Sequence, residues 1–97
     1  MRFKIGFIPS TSGDLKCFRI YEQRIIIEGI KRYLREDADI ESKRRKQLNP
    51  NELAPWELKI GNYRVFYDFE GDSVVKIIAI GFKYHKELYI RGRRVTL

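Results

Sequence analysis

The stretch from Trp56 to Tyr67, WELKIGNYRVFY, admits few folds. Apolar and polar residues alternate on both sides of a Gly61-Asn62 pair, the period-two signature of two short strands joined by a tight turn. Gly beside Asn suits the positive φ of a primed hairpin turn, so this turn chemistry sets the register. In the second strand Tyr63, Val65, Tyr67 and Phe69 face one way and Arg64, Phe66 and Asp68 the other. A third strand, Val74 to Ile80, comes after Gly71-Asp72 and completes an antiparallel meander. The segment from Glu87 to Leu97 reads as a further hairpin turning at Arg91-Gly92. At 97 residues the chain holds one core, so residues 1–97 are expected to form a single domain.

The N-terminal part reads differently. Arg2 to Ile8 alternates as a first strand, with Phe3, Ile5 and Phe7 on one face and Arg2 and Lys4 on the other. Pro9 to Gly13 breaks it, and a Ser or Thr there can cap the next helix. From about Asp14 to Glu36 apolar residues recur at helical spacing, tracing a broad stripe through Leu15, Phe18, Ile26, Ile30 and Leu34. One long helix packed on a small antiparallel sheet is the expectation. Gly29, in its middle, costs about 1 kcal/mol relative to Ala and suits a close approach to the sheet. Leu48 to Pro55 carries two prolines and reads as a loop. The fold class is therefore α+β: an N-terminal strand, a long helix on the sheet, a three-stranded meander and a terminal hairpin.

Charge is concentrated. Residues 1–42 carry a net charge of +1 and residues 43–97 a net of +6. Excess positive charge on the strand-bearing half points to a polyanion or an acidic protein partner. Cys17 is the only cysteine, so no intramolecular disulfide and no thiolate zinc cluster can form, and a lone His85 adds nothing toward a metal site. No cofactor is expected. No apolar run approaches the roughly 20 residues of a membrane span, and MRFKIGFIPS has no signal-peptide apolar block. A cytoplasmic protein with no membrane partner is the expectation.

The run Trp56, Leu58, Gly61, Tyr63-Arg64-Val65 and Tyr67, then Ala79-Ile80-Gly81, a basic stretch and Tyr89, resembles the RelE/ParE superfamily of toxins from type II toxin–antitoxin systems. The resemblance covers nearly the whole chain. It implies a RelE-like fold and, by the nuclease branch, a metal-independent endoribonuclease that cleaves messenger RNA, with the ribosome as a partner and a cognate acidic antitoxin that silences it. In that chemistry the 2′-hydroxyl attacks the adjacent phosphorus and leaves a 2′,3′-cyclic phosphate. Cations must hold the phosphorane charge, and an acid must protonate the departing 5′-oxygen.

The resemblance implies these roles by position. Arg64 corresponds to a phosphate-stabilising arginine, whose planar fork suits two non-bridging oxygens. Lys59 matches a lysine that acts as charge clamp or base. Tyr89, eight residues after Gly81, falls where a tyrosine stacks on or orients substrate. Lys83 stands where relatives place an arginine, keeping the charge and losing the fork. His85 is a candidate general acid, since imidazole changes charge near neutral pH. Glu57 replaces a second lysine and makes the local field less positive. Lys43, Arg44, Arg45, Lys46 and Lys86 are candidate contacts to the RNA backbone. Two other functions fit the same resemblance: a ParE-like inhibitor of DNA gyrase, and a degenerate member that only binds its antitoxin.

Overall fold

A computed structural model of the chain describes residues 2–97. It is an α+β fold, with two helices on one side of a seven-stranded sheet. In chain order the elements are β1 (Lys4–Phe7), α1 (Pro9–Lys16), α2 (Ile20–Leu34), β2 (Arg45–Gln47), β3 (Trp56–Ile60), β4 (Tyr63–Glu70), β5 (Val74–Tyr84), β6 (Glu87–Ile90) and β7 (Arg93–Val95). Strands β2 to β7 lie side by side in sequence order, each antiparallel to the next, and β1 joins β5 in parallel.

The long strand β5 organises the molecule. One of its edges pairs with β4 over most of its length. The other edge is shared: β1 covers Val74 to Ile77, and β6 covers Phe82 to Tyr84. Between them a bulge interrupts β5, because Phe66 faces Ala79 while the next residue, Tyr67, faces Ile77, leaving Ile78 as the extra residue. Helix α1 closes this gap. The Thr11 hydroxyl donates to the Ile77 carbonyl at 2.9 Å, and the Ile80 amide donates to the Asp14 carboxylate at 3.0 Å. Arg91, from the β6–β7 turn, donates to the other Asp14 oxygen at 2.5 Å and to the Ser10 carbonyl. Buried backbone polar groups need partners, and α1 supplies them where the sheet does not.

Helix α2 buries Ile26, Gly29, Ile30 and Leu34 against the sheet face formed by Leu58, Ile60, Val65, Tyr67, Val75, Ile77 and Ile80. A Cβ on Gly29 would lie 2.4 Å from Ile60 Cδ1, so glycine permits the close helix–sheet approach that the sequence suggests. Trp56 is buried and stacks on Tyr67, whose hydroxyl donates to the Ala38 carbonyl at 2.7 Å. Burial raises the Tyr67 phenol well above its ordinary range. A second, smaller apolar cluster of Ala54, Phe66, Ala79 and Leu88 fills the opposite face beneath Leu48 and Leu53 of the proline loop.

Four expectations change. The single helix from Asp14 to Glu36 is two helices, and Pro9 to Gly13, expected as a break, belongs to the first. Pro in the first turn fits a helix start, since its missing N–H is an orphan there anyway. No Ser or Thr side chain caps either helix. The break at Cys17 to Arg19 is held locally: Gln23 donates to the Phe18 carbonyl at 2.9 Å, and the Glu22 carboxylate accepts the Arg19 amide at 3.1 Å. Part of the Lys43–Lys46 run is strand β2, paired with β3. Finally, β5 continues past Ile80 to Tyr84 and turns at His85-Lys86, both at positive φ (50° and 68°).

Candidate functional site

Strand register decides which candidate residues meet. Lys59 on β3 lies opposite Arg64 on β4, and Arg64 lies opposite Gly81 on β5. These three form a cross-strand row on the face turned away from the helices, since Val65 and Ile60 beside them point into the helix-side core. Lys83, two residues beyond Gly81, shares that face, and its amide bonds the Asn62 carbonyl of the β3–β4 turn at 2.8 Å. Three of the candidate catalytic residues, Lys59, Arg64 and Lys83, therefore gather at one end of one sheet face.

Arg64 is the unusual member. It is 8% exposed, yet it forms no ion pair with either Glu57 or Asp68. Its Nη1 donates to the Gly61 carbonyl at 2.8 Å and to the Tyr63 carbonyl at 3.0 Å, so the hairpin turn holds the guanidinium in place. Among the described residues no buried side-chain nitrogen lacks a partner. The remaining guanidinium nitrogens bond nothing in the chain and are not fully enclosed. A fork pinned by one nitrogen leaves two others without a protein partner, the kind of pair a bidentate contact with an oxyanion uses. Lys59 is exposed beside it.

The neighbouring groove, about 450 Å³, mixes charges. Lys83, Lys86 and Arg94 line it together with Glu57 and Glu87, over Leu88 and Val95. Glu57 projects from the same face as Lys59 and stands opposite Lys46 on β2. Arg94 pairs with Glu87 at 3.1 Å.

The other candidates separate from this cluster. Tyr89 is the register partner of Phe82, stacks on it at 5.5 Å between ring centroids, and so lies on the helix side of the sheet, away from Arg64 and Lys83. Its hydroxyl donates to the Glu87 carboxylate at 3.2 Å, and that bond raises its phenol above the ordinary value. Counting residues from Gly81 conceals this, because strand parity decides the face. His85 sits exposed in the β5–β6 turn, at the cluster's end of the sheet, with its ring edge-on to Tyr84 at 4.1 Å. Lys86 is its exposed neighbour and lines the groove.

The basic tetrad is not one patch. Arg45 turns to the helix side and donates to the Ile40 carbonyl at 2.8 Å and the Tyr33 carbonyl at 3.1 Å, closing the end of α2 onto the sheet. Arg44 lies over the Tyr33 ring at 4.7 Å. Only Lys43 and Lys46 remain exposed without such contacts. Arg45, expected with the tetrad as an RNA contact, is thus drawn apart from Lys43 and Lys46 by its bonds to the end of α2.

Sequence reading missed the aromatic groove at the α1–α2 junction, where Phe18 meets Tyr63 and Phe82 edge-on. There the Tyr63 hydroxyl donates to Glu22 at 2.8 Å. Burial, then this bond, push the Tyr63 phenol up to about 12, while the Arg19 amide and Tyr63 hold the Glu22 carboxyl below its usual range. The 41-residue separation left no local signal. Among the described residues no group of His, Cys, Asp and Glu could hold a metal ion, and no helix is long and apolar enough to cross a membrane. No protein-family model matches the chain, and no curated protein matches it.

Proposed function

We propose that this chain is a toxin of the RelE kind: a cytoplasmic, metal-independent endoribonuclease that cleaves messenger RNA, on the ribosome, and is neutralised by a cognate acidic antitoxin. The order of strand, helical pair and antiparallel meander supports a RelE-like reading of the fold. One observation carries the functional reading: Arg64 is buried, has no carboxylate partner, and is held by two turn carbonyls through a single nitrogen.

An RNA phosphate is the ligand such an arginine suits. Arg64 would contact two non-bridging oxygens, and Lys59 and Lys83 on the same face would add charge as the phosphorane forms. The 2′-oxygen bonds to phosphorus as the 5′-oxygen bond breaks. The 2′-hydroxyl proton passes to a base and the 5′-oxygen takes a proton from an acid. The product ends are a 2′,3′-cyclic phosphate and a 5′-hydroxyl. His85, at the same end of the sheet, is the candidate acid. Tyr89 is left out of this scheme, because it faces the other side. Glu57 on the cationic face favours one alternative, a degenerate member that binds its antitoxin without cutting RNA.

The test is induction of wild-type and variant chains followed by pulse-labelling. Arg64→Lys keeps a donor for the turn carbonyls and loses the fork, so it should remain folded and lose growth inhibition. Early collapse of protein synthesis in the wild type supports the reading. Prior arrest of DNA replication would favour a gyrase inhibitor, and harmless wild-type expression would favour the degenerate member. Full toxicity of folded Arg64→Lys and Arg64→Ala would remove the arginine from the mechanism.

A further inference from the structure

We propose that the aromatic groove at the α1–α2 junction is a nucleobase pocket, which takes a base carrying an exocyclic amine from the RNA strand whose phosphate lies at Arg64. The inference rests on the ribonuclease reading and adds to it a site for the base and a preference among bases.

The groove, about 430 Å³, adjoins the cationic row. Lys83 lines both this groove and the mixed-charge one described above. Its amide bonds the Asn62 carbonyl at 2.8 Å, which ties the β3–β4 turn to β5. Arg64 Nη1 bonds the carbonyls of Gly61 and Tyr63, the residues on either side of Asn62, and Asn62 itself lines the groove. A strand with a phosphate at Arg64 therefore has aromatic surface beside it for a base.

Phe18 stands edge-on to Tyr63 and Phe82, with centroids 5.6 Å and 6.1 Å apart, and one face of Phe82 is stacked on Tyr89. Packing accounts for these rings. It does not account for Tyr84, which lines the same groove and is 60% exposed. Its aromatic neighbour among the described residues is the exposed His85. An exposed ring at the edge of a groove already walled by aromatics is a stacking platform for a base.

Charge and hydrogen-bonding capacity choose the occupant. The two charged residues of the groove, Glu22 and Lys83, offset each other, so a phosphate gains nothing there and a neutral base loses nothing. The Tyr63 hydroxyl spends its hydrogen on Glu22, which leaves the phenol oxygen only lone pairs to offer. The Glu22 carboxylate also only accepts. This wall suits a base edge with an amino group. Cytosine presents one, whereas the single N–H of uracil lies between two carbonyl oxygens that a carboxylate repels. An aliphatic side chain of a protein partner would leave the same acceptors without donors.

The test measures binding of the full chain to short single-stranded oligonucleotides of one length, blocked against cleavage by 2′-O-methyl groups. The probes are oligocytidylate, oligouridylate and a chain with its bases removed. Oligocytidylate should bind at least about tenfold tighter than the baseless chain, with the same salt slope, because a stacked base releases no counterions. It should also bind several-fold tighter than oligouridylate. Tyr84→Ala should remove most of the advantage over the baseless chain and leave that chain's own affinity unchanged. Glu22→Gln, which keeps an oxygen for the Arg19 amide, should narrow the preference for cytosine over uracil. Equal binding of oligocytidylate and the baseless chain would overturn the pocket while the RNA reading stands, as would a Tyr84→Ala loss shared by both. Oligouridylate binding as tightly as oligocytidylate would overturn the preference for an amino group. Failure of the wild-type chain to bind any of the three would sink the RNA reading and the pocket with it.

Discussion

Replacing Asp14 tests whether α1 acts as the missing neighbour of β5. Its carboxylate is 3% exposed and serves two donors, the buried Ile80 amide at 3.0 Å and the Arg91 guanidinium at 2.5 Å. In Asp14→Ala the Ile80 amide stays buried without a partner, a loss of about 1–3 kcal/mol. Arg91, with its side chain 48% exposed, regains water, so losing that pair adds at most about 1 kcal/mol. The expected total is about 1–4 kcal/mol. Asp14→Asn keeps an oxygen for the Ile80 amide and should cost at most about 1 kcal/mol, since only the charge-assisted contact to Arg91 is lost. Urea denaturation measures the stabilities, and native-state amide exchange should show Ile80 opening faster than Val65 in the alanine variant. A loss below about 0.5 kcal/mol for Asp14→Ala, with Ile80 exchange unchanged, would mean that the gap between β1 and β6 does not depend on α1.

Gly29→Ala sets a helix gain of about 1 kcal/mol against overpacking of about 1–3 kcal/mol on Ile60, so a net loss of about 0–2 kcal/mol is expected. Ile60→Val removes the Cδ1 atom at 2.4 Å and should be less costly in the Gly29→Ala background than in the wild type, a coupling that a double-mutant cycle reads directly. Gly81→Ala should be far worse, because its Cβ would lie 2.3 Å from the Tyr89 carbonyl oxygen and only a shift of β6 relieves that; circular dichroism and thermal melting would report it. Titrating stability against pH tests the Glu22–Tyr63 pair. The lowered Glu22 carboxyl adds stability that is present above the ordinary carboxylate value of 4.5 and lost as pH falls through its folded value. Tyr63, raised from 10 to about 12, adds stability that is complete below pH 10 and lost as pH climbs toward 12. Tyr63→Phe should lessen the alkaline loss, leaving the part that the raised phenols of Tyr67 and Tyr89 contribute, and move the acid loss to higher pH. For RNA, contacts from Lys59, Arg64 and Lys83 predict a slope of log affinity against log salt of about −2, measured by anisotropy with a single-stranded oligoribonucleotide. A flat dependence would reassign the basic face to a protein partner.

Strands were legible wherever a short period met a turn signal. WELKIGNYRVFY marked β3, β4 and their turn, and Arg91-Gly92 marked the last hairpin, where both residues take positive φ (52° and 74°). His85-Lys86 makes the same kind of turn from residues that rarely adopt it, so composition carried no sign of it and β5 was ended at Ile80. The helix break failed for the opposite reason. The apolar stripe from Leu15 through Leu34 runs on without interruption, and what divides it is a set of side-chain bonds: Glu22 and Gln23 hold the Phe18–Arg19 backbone, and Glu22 also reaches Tyr63 of a sheet far away in sequence.

The site divides along the same line. That Lys59, Arg64 and Lys83 share a face was legible because the residues linking them lie in regular paired strands, where alternation carries facing information from one residue to the next. The face of Tyr89 was not legible because a turn stands between it and Lys83, and antiparallel pairing sets Lys83 opposite Leu88, so Tyr89 goes with Phe82 to the other face. The placement of Arg45 was not legible because a run of four basic residues suggests one surface, while a strand splits its members between two. Arg64 differs from both: its position in the motif indicated a phosphate ligand, but any arginine there could have paired with Asp68 or Glu57. The turn carbonyls of Gly61 and Tyr63 change that, because they accept from Nη1 without neutralising its charge. A carboxylate in their place would hold the side chain equally well and cancel the field a phosphate needs. Neutral acceptors hold the arginine and leave its charge available, the property on which the proposed chemistry depends.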